Sequence, residues 1–259
     1  MMELRRRVAY RSDFWINFFG QTFFSLIIAY YLWSSIFKTT GKTEMNGFTM
    51  QSMIFYYLVA PLVFRIQQGL GIGFISRDIY EGSLNKYLLY PVEFFKFKLS
   101  TYLATSFFFS TQLFSILGVY QFFFYDENIF QFHLLNIIFF LLALLGSTLI
   151  YFYLSVIFES LAFWYDNVWS VGVVLRFATS FLGGALIPLT FFPIGVQSLL
   201  NMTPFPYLIH FPVAVLTKGL PATELLSSFG IMIFWICIFY AVAKLVWNKG
   251  SYSYSGVGI

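Results

Sequence analysis

The chain has 259 residues, of which 59% are hydrophobic, 23% aromatic and only 10% charged. Its mean hydropathy is +0.77. A soluble domain carries roughly 25% charged residues and about 45–50% apolar ones, so too few polar side chains are present to cover a water-exposed surface, and a water-soluble enzyme is excluded. The same composition excludes disorder. The single cysteine, Cys237, excludes a disulfide scaffold, and the long continuous apolar runs argue against an outer-membrane β-barrel. What remains is an all-α integral membrane protein. The net charge of +4 then speaks to orientation in a bilayer and gives no reason to expect nucleic acid as a partner.

Residues 1–17 open the chain with Arg5, Arg6 and Arg7, while Leu4, Val8 and Trp15 share one helical face. Two readings stay open: a simple positive-inside anchor, or an amphipathic interfacial helix that lies along the inner leaflet and leads into the first span. The apolar stretch behind the arginines is too long for a cleaved signal peptide, and no small-residue cleavage site follows it. A spanning helix needs about 20 mostly apolar residues. Six stretches qualify, at about 18–37, 50–74, 99–124, 132–158, 168–189 and 225–246, which makes the whole of 1–259 one transmembrane domain with six helices. Basic residues gather at the N-terminus, around Arg77, Lys86, Lys96 and Lys98, and at Lys244 and Lys249. The positive-inside rule places those regions, and so both termini, in the cytoplasm.

Two stretches break the alternation of span and loop. Residues 76–91 mix charges with Ile79, Leu84, Leu88 and Leu89. As a helix from Ser83, this stretch brings Leu84 and Leu88 one turn apart on one face, and Pro91 stops it. Residues 187–224 hold most of the chain's eight prolines, namely Pro188, Pro193, Pro204, Pro206, Pro212 and Pro221, yet stay apolar. Too greasy for a solvated loop and too broken for a span, residues 190–224 are expected to form a re-entrant hairpin of short helices in the outer leaflet. Irregular backbone at that depth must be buried in protein or line a cavity.

Several patterns look chemical and lack the context that chemistry needs. Gly41-Lys42-Thr43 resembles the end of a phosphate loop, but Ile36 stands where the first glycine belongs. Gly69, Gly71 and Gly73 miss the dinucleotide fingerprint at Phe74 and read as small residues that let helices approach closely. His133 reads as a polar anchor at a membrane boundary and His210 as a structural hydrogen-bonding group. Neither has metal-ligand spacing with a cysteine or carboxylate, so no metal is expected, and no set of nucleophile, base and orienter assembles. The intramembrane polar candidates are Arg65, Glu159 and Arg176, because charge is costly in hydrocarbon. They either snorkel or pair inside the bundle, or they line a transport path. A Glu159–Arg176 pair is expected from the end of the fourth span meeting the start of the fifth.

Three blocks then coincide. The first runs from Leu4 through Arg5, Arg6 and Arg7 to Tyr10, Arg11 and Phe14. The second is Asp78-Ile79-Tyr80-Glu81-Gly82-Ser83-Leu84 followed by Leu88-Leu89-Tyr90-Pro91-Val92, with Tyr90 where an arginine is usual. The third comprises Phe191-Phe192-Pro193, Thr203-Pro204-Phe205, Phe211-Pro212, and Trp247-Asn248-Lys249-Gly250 with its Tyr-rich tail. With the six spans, over nearly the whole chain, these blocks resemble the permease subunits of type-2 ABC exporters, in their multidrug-like branch.

The resemblance implies a non-catalytic subunit in the plasma (inner) membrane of a prokaryote. It implies pairing with a second permease subunit, the same or homologous, and with separate ATP-binding-cassette subunits that bind ATP and Mg, so that this chain carries no cofactor of its own. It implies that residues 76–91 are the coupling helix, with Arg77, Asp78, Tyr80, Glu81, Gly82, Leu84 and Leu88 seated in a groove of the ATPase. The re-entrant segment would cap the exit, and the aromatic-rich chain would move an amphipathic, lipid-like or drug-like cargo among membrane lipids. Two other functions remain open from the residues alone. An integral-membrane lipid-modifying enzyme would want a cluster of His, Asp and Glu near one interface. An ATP-independent carrier or channel would want mid-span acids or an inverted repeat.

Overall fold

Runs of apolar residues long enough to leave water must satisfy their own backbone, and the α-helix does so within one segment. The computed structural model of the chain accordingly consists almost wholly of helices; it describes residues 11–89, 91, 93–123, 134–218 and 220–254. The first ten residues, with most of the arginine-rich start, lie outside the described residues, as do Tyr90, Val92, His133 and the end of the Tyr-rich tail. The chain divides into two compact units, Met1–Leu62 and Val63–Ile259.

In the first unit, helix α1 runs over Arg11–Thr40 without a break at the expected start of the first span. A two-residue hairpin follows, β1 (Glu44–Met45) against antiparallel β2 (Phe48–Thr49), with Glu44 opposite Thr49 and Met45 opposite Phe48. Its turn is Asn46-Gly47, both at positive φ (49° and 79°), the conformation that makes Asn-Gly the favoured short hairpin turn. Helix α2 (Met50–Gln68) starts from a reciprocal cap. The Thr49 N–H donates to Ser52 Oγ (2.9 Å), and the Ser52 N–H donates to Thr49 Oγ1 (3.3 Å).

The second unit contains the end of α2 and the remaining helices. These are the short α3 (Ser76–Tyr80) and α4 (Asn85–Leu88), then α5 (Phe94–Phe123), α6 (Leu134–Glu159), α7 (Trp169–Leu182), α8 (Ile194–Leu200), α9 (Phe205–Leu208), α10 (His210–Lys218) and α11 (Ala222–Tyr252). Single 3-10 turns at Ser160–Phe163 and Leu189–Phe191 flank α7. Among the described residues, three stretches are long and apolar enough to cross a membrane: α5, α6 with its 3-10 extension to Phe163, and α11; α7 is a shorter apolar helix. Helix α6 is the centre of this unit and packs against α5, α7, α9, α10 and α11. It is apolar all round and buried over much of its length, the pattern of a core helix. Gly146 lets α11 come close, because a Cβ there would sit 2.2 Å from Met232 Sδ.

Two expectations are corrected. The second helix ends at Gln68 instead of reaching residue 74, because Gly69, Gly71 and Gly73 take φ of +45°, +82° and +92°. That backbone is left-handed and cannot extend a helix. The three glycines therefore turn the chain, and of them Gly69 also admits a neighbouring helix closely, through Tyr102 of α5. Between α7 and α11 the chain forms several short helices, as the proline pattern implied, but the prolines start them more than they break them. Pro188, Pro193, Pro204 and Pro221 each occupy the N-cap of the element that follows, where a missing N–H costs nothing.

The packing around the end of α11 makes a direct stability test. A Cβ on Gly250 would lie 2.1 Å from the Phe163 ring, whereas a Cβ on Gly230 of the same helix meets nothing within 4 Å. Gly250→Ala is expected to cost about 1–3 kcal/mol by forcing that ring aside, and Gly230→Ala to cost nothing. Thermal unfolding of the two variants in detergent reads the difference.

Candidate functional site

The site is the stretch that α2 leaves behind. A helix end exposes orphan carbonyls, and a turn exposes orphan N–H groups. Both must find partners where water is excluded. At the end of α2, Ser106 Oγ donates to the Ile66 carbonyl (2.9 Å), and the Tyr102 hydroxyl donates to that of Gln67. The Gln67 Nε2 in turn donates to the carbonyl of Leu208 at the end of α9. Gly69 has to be a glycine twice over: its φ is +45°, and a Cβ would meet the Tyr102 ring at 2.6 Å.

Three N–H groups at the far end of the turn converge on one carboxylate. Gly73 donates to Glu159 Oε1 (2.9 Å), while Ile75 and Ser76 donate to Oε2 (2.7 and 3.2 Å). Glu159 is the last residue of α6 and is buried at 4% exposure. An isolated buried carboxylate is very costly, but three N–H groups aimed at its oxygens are the charge-assisted bonds that offset such burial. The carboxylate so holds the turn and the first residue of α3 to the end of α6.

A second brace comes from α5. Lys98 Nζ donates to the Phe74 carbonyl (2.6 Å) and to the carboxylate of Asp78 on α3. Both partners of this ion pair are largely buried, with side chains at 9% and 13% exposure. The ammonium also lies 5.2 to 5.9 Å from the centroids of the Phe74, Tyr87 and Phe94 rings, so its remaining directions face aromatic π-clouds. Asp78 accepts again from Ser83 Oγ (2.7 Å), and its own carbonyl accepts from the Leu84 N–H (3.0 Å). These bonds fold the chain back between α3 and α4. Phe94 stacks on Trp247 of α11 at 4.1 Å, and Phe163 meets the same indole edge-on at 5.3 Å.

A third brace uses Tyr80. Its hydroxyl donates to the Tyr165 carbonyl (3.0 Å) and accepts from the Val168 N–H (3.1 Å). Partial desolvation holds the Tyr80 phenol above its usual pKa, so it keeps the proton that it donates.

The sequence-predicted residues fall into two sets. Arg77, Tyr80 and Glu81 are exposed, Asp78 is held inward by Lys98, and Gly82 turns the chain at φ +68°. Leu84 is buried at 4%, so it anchors the stretch to its own subunit. The exposed apolar group is Leu89, at 85%. Of the helix expected from Ser83, the four residues Asn85–Leu88 form α4, and Gly82 and the Asp78 bonds turn the chain between it and the separate α3. Leu88 ends α4, and its side chain lies outside the described residues.

Of the intramembrane candidates, Arg65 lies over the Phe109 ring at 5.2 Å. The expected Glu159–Arg176 pair is not formed. Glu159 faces the backbone of the turn, and Arg176 Nη2 donates to Gln68 Oε1 (2.6 Å). Sequence reasoning used Lys98 only for orientation and gave no role to Tyr165 and Val168. A lysine twenty residues after an aspartate carries no local signal, and main-chain partners carry none at all.

Removing the Glu159 side chain leaves three donors without partners, those of Ile75 and Ser76 buried and that of Gly73 part-buried, each worth about 1–3 kcal/mol. Glu159→Ala is expected to destabilise the protein by at least about 3 kcal/mol and to speed amide exchange at Gly73, Ile75 and Ser76 first. Glu159→Gln, which keeps one acceptor oxygen, should fall between the two. Hydrogen exchange resolved to those amides reads it; unchanged exchange in the alanine variant would contradict the brace.

Comparison with curated proteins and with solved structures finds no match. Residues 23–258 match the family described as ABC-2 family transporter protein. That match covers the helices, the braced turn and the proline-rich stretch together. The chain therefore belongs to the ABC-2 family as the membrane permease component of an ABC transporter, a class generally without catalytic activity of its own that works with separate ATP-binding subunits.

Proposed function

We propose that this chain is the transmembrane subunit of an exporter and that residues 76–91 are its coupling element, docking on the ATP-binding subunit. In this reading α1, α2, α5, α6, α7 and α11 are six spans, both termini are cytoplasmic, and the stretch between α7 and α11 is the re-entrant cap on the far side. The membrane is the inner membrane of a prokaryote. A second permease subunit completes the pathway, and ATP and Mg are held by the ATPase.

The observation that carries this reading is the bracing of α3. A segment that transmits force must be stiff toward its own subunit and exposed toward its motor. Glu159 ties the start of α3 to α6, Lys98 ties its middle to α5, and Tyr80 ties its end to the approach to α7. Arg77, Glu81 and Leu89 remain exposed. An ATPase that binds differently in its ATP-bound and ATP-free states then moves three helices through one element. The differential binding free energy shifts the permease between inward- and outward-facing arrangements.

A cavity of about 720 Å³ between α5 and α6 supports an amphipathic cargo. Phe107, Phe114 and Leu144 give it an apolar wall, and Ser110, Thr111 and Thr148 add hydroxyls. Each of these hydroxyls donates its proton to a carbonyl of its own helix. The wall so offers acceptor lone pairs, which suit an apolar body bearing a few donors.

The test is co-purification with the ATP-binding subunit and permease-stimulated ATP hydrolysis. The exchange Arg77→Glu with Glu81→Lys inverts the exposed charges without touching the braces. It is expected to weaken association roughly tenfold or more, with thermal stability unchanged. Undiminished association in that variant would refute the docking of this element.

A further inference from the structure

Tyr80 is exposed, at 37%, yet its hydroxyl makes two bonds to main-chain atoms of a different loop, residues 164–168. Tyr165 is exposed but Val168 is buried at 3%, so water could serve the first of these residues and not the second. A side chain that takes both the carbonyl of Tyr165 and the N–H of Val168 instead fixes the register of one loop against the other. The 164–168 loop is itself shaped from within. The Trp164 and Tyr165 N–H groups both donate to the Leu161 carbonyl (2.9 and 3.0 Å), and Asn167 Oδ1 accepts the Trp169 N–H at the start of α7 (2.9 Å). The loop is thus ordered, with residues 164–167 exposed and Val168 buried. Tyr165 is 63% exposed, and Asp166 and Asn167 are exposed beside it. Among the described residues, Asp166 has no cation within ion-pair distance. On the neighbouring turn, Glu81 presents a second exposed carboxylate.

We propose that residues 164–168 form the second half of the surface on which the ATP-binding subunit docks, with Tyr80 as the pin that registers the two halves. The occupant is a groove of that subunit with an apolar floor for Tyr165 and Leu89 and a cation facing Asp166 and Glu81. Tyr165 alone would suit the aromatic belt of a bilayer, but the exposed carboxylates Asp166 and Glu81 outnumber the exposed cation of α3, Arg77, and an anionic leaflet repels the excess. Charge therefore favours a basic protein surface. The proposal rests on the reading of residues 76–91 as the coupling element, and goes beyond it by adding a loop that no motif singles out.

The experiment uses the full permease with its ATP-binding subunit in anionic lipid vesicles, in a Cys237→Ser background because Cys237 is exposed. Glu81→Cys and Asp166→Cys are labelled separately with a benzophenone maleimide and irradiated. Both are expected to crosslink to the ATP-binding subunit. A crosslink from position 81 with none from 166, or with 166 captured by lipid, overturns the composite surface and leaves the coupling element standing. No crosslink from either position overturns both. Adding Tyr80→Phe keeps the ring and removes the two bonds. It is expected to cut the yield from position 166 roughly fivefold, while position 81 still crosslinks. Equal yields from 166 with and without the Tyr80 hydroxyl would remove the pin.

Discussion

Three amide hydrogens pointing at one carboxylate hold this permease together at the turn between α2 and α3. The chain leaves α2 through three glycines in left-handed conformation and enters α3 within eight residues. The Gly69 and Gly71 N–H groups bond back to the Ile66 and Gln68 carbonyls, but those of Gly73, Ile75 and Ser76 do not. Ile75 and Ser76 are buried at 0% and 5% exposure, so water cannot satisfy them either. Glu159 does so from the end of α6, at 2.7 to 3.2 Å. The interaction works in both directions, since the same N–H groups make a buried carboxylate tolerable without a cation at ion-pair distance. Neither side is stable without the other.

The consequence is a loop with little freedom of its own. Lys98 repeats the logic with opposite charge: it takes the Phe74 carbonyl, which the turn would otherwise leave bare, and pairs with Asp78. Breaking a buried pair by removing one partner is costly because the other charge is stranded, so these contacts resist being loosened singly. The aromatic groups around Lys98 and Trp247 fill the remaining space between α5, α11 and the Phe163 turn. A displacement of α3 is then passed to α5 and α6 instead of being absorbed by the connection. Gln67 extends the chain of contacts further, from the end of α2 to the carbonyl of Leu208, so the proline-rich stretch is reached within two residues of the glycine turn.

The helical character, the family and the region of the site were legible in the sequence, because composition and apolar run length decide the first and a motif of acid, glycine and leucine marks the last. Helix ends were less so. Hydropathy reads residues 69–74 as more span, since Leu70, Ile72 and Phe74 are as apolar as any helix interior; only the glycine spacing hints at a turn, and glycine in an apolar run has a packing reading as well. The partner of Glu159 was misread for a related reason. Charge invites pairing with charge, and Arg176 is the nearest arginine along the chain, whereas the actual partners are main-chain N–H groups. Every residue carries such a group, so no sequence position advertises it. Lys98 and Asp78 find each other only once the turn between α3 and α4 is closed.

The two faces of residues 75–89 divide their work by burial. Ile75, Ile79 and Leu84 are buried at 0%, 3% and 4% exposure, and hold the element to its own subunit. Arg77, Glu81 and Leu89 are exposed and make no part of that hold. The outer residues can therefore change without loss of fold, because stability rests on the inner side chains. The inner residues have no such liberty: a polar group at Leu84 would loosen the turn before it altered any contact with another protein. Tyr80 is the exception that joins the faces, exposed at its ring yet bonded through its hydroxyl to a neighbouring loop. A change there confined to a single oxygen atom removes both bonds to that loop and leaves the exposed ring in place.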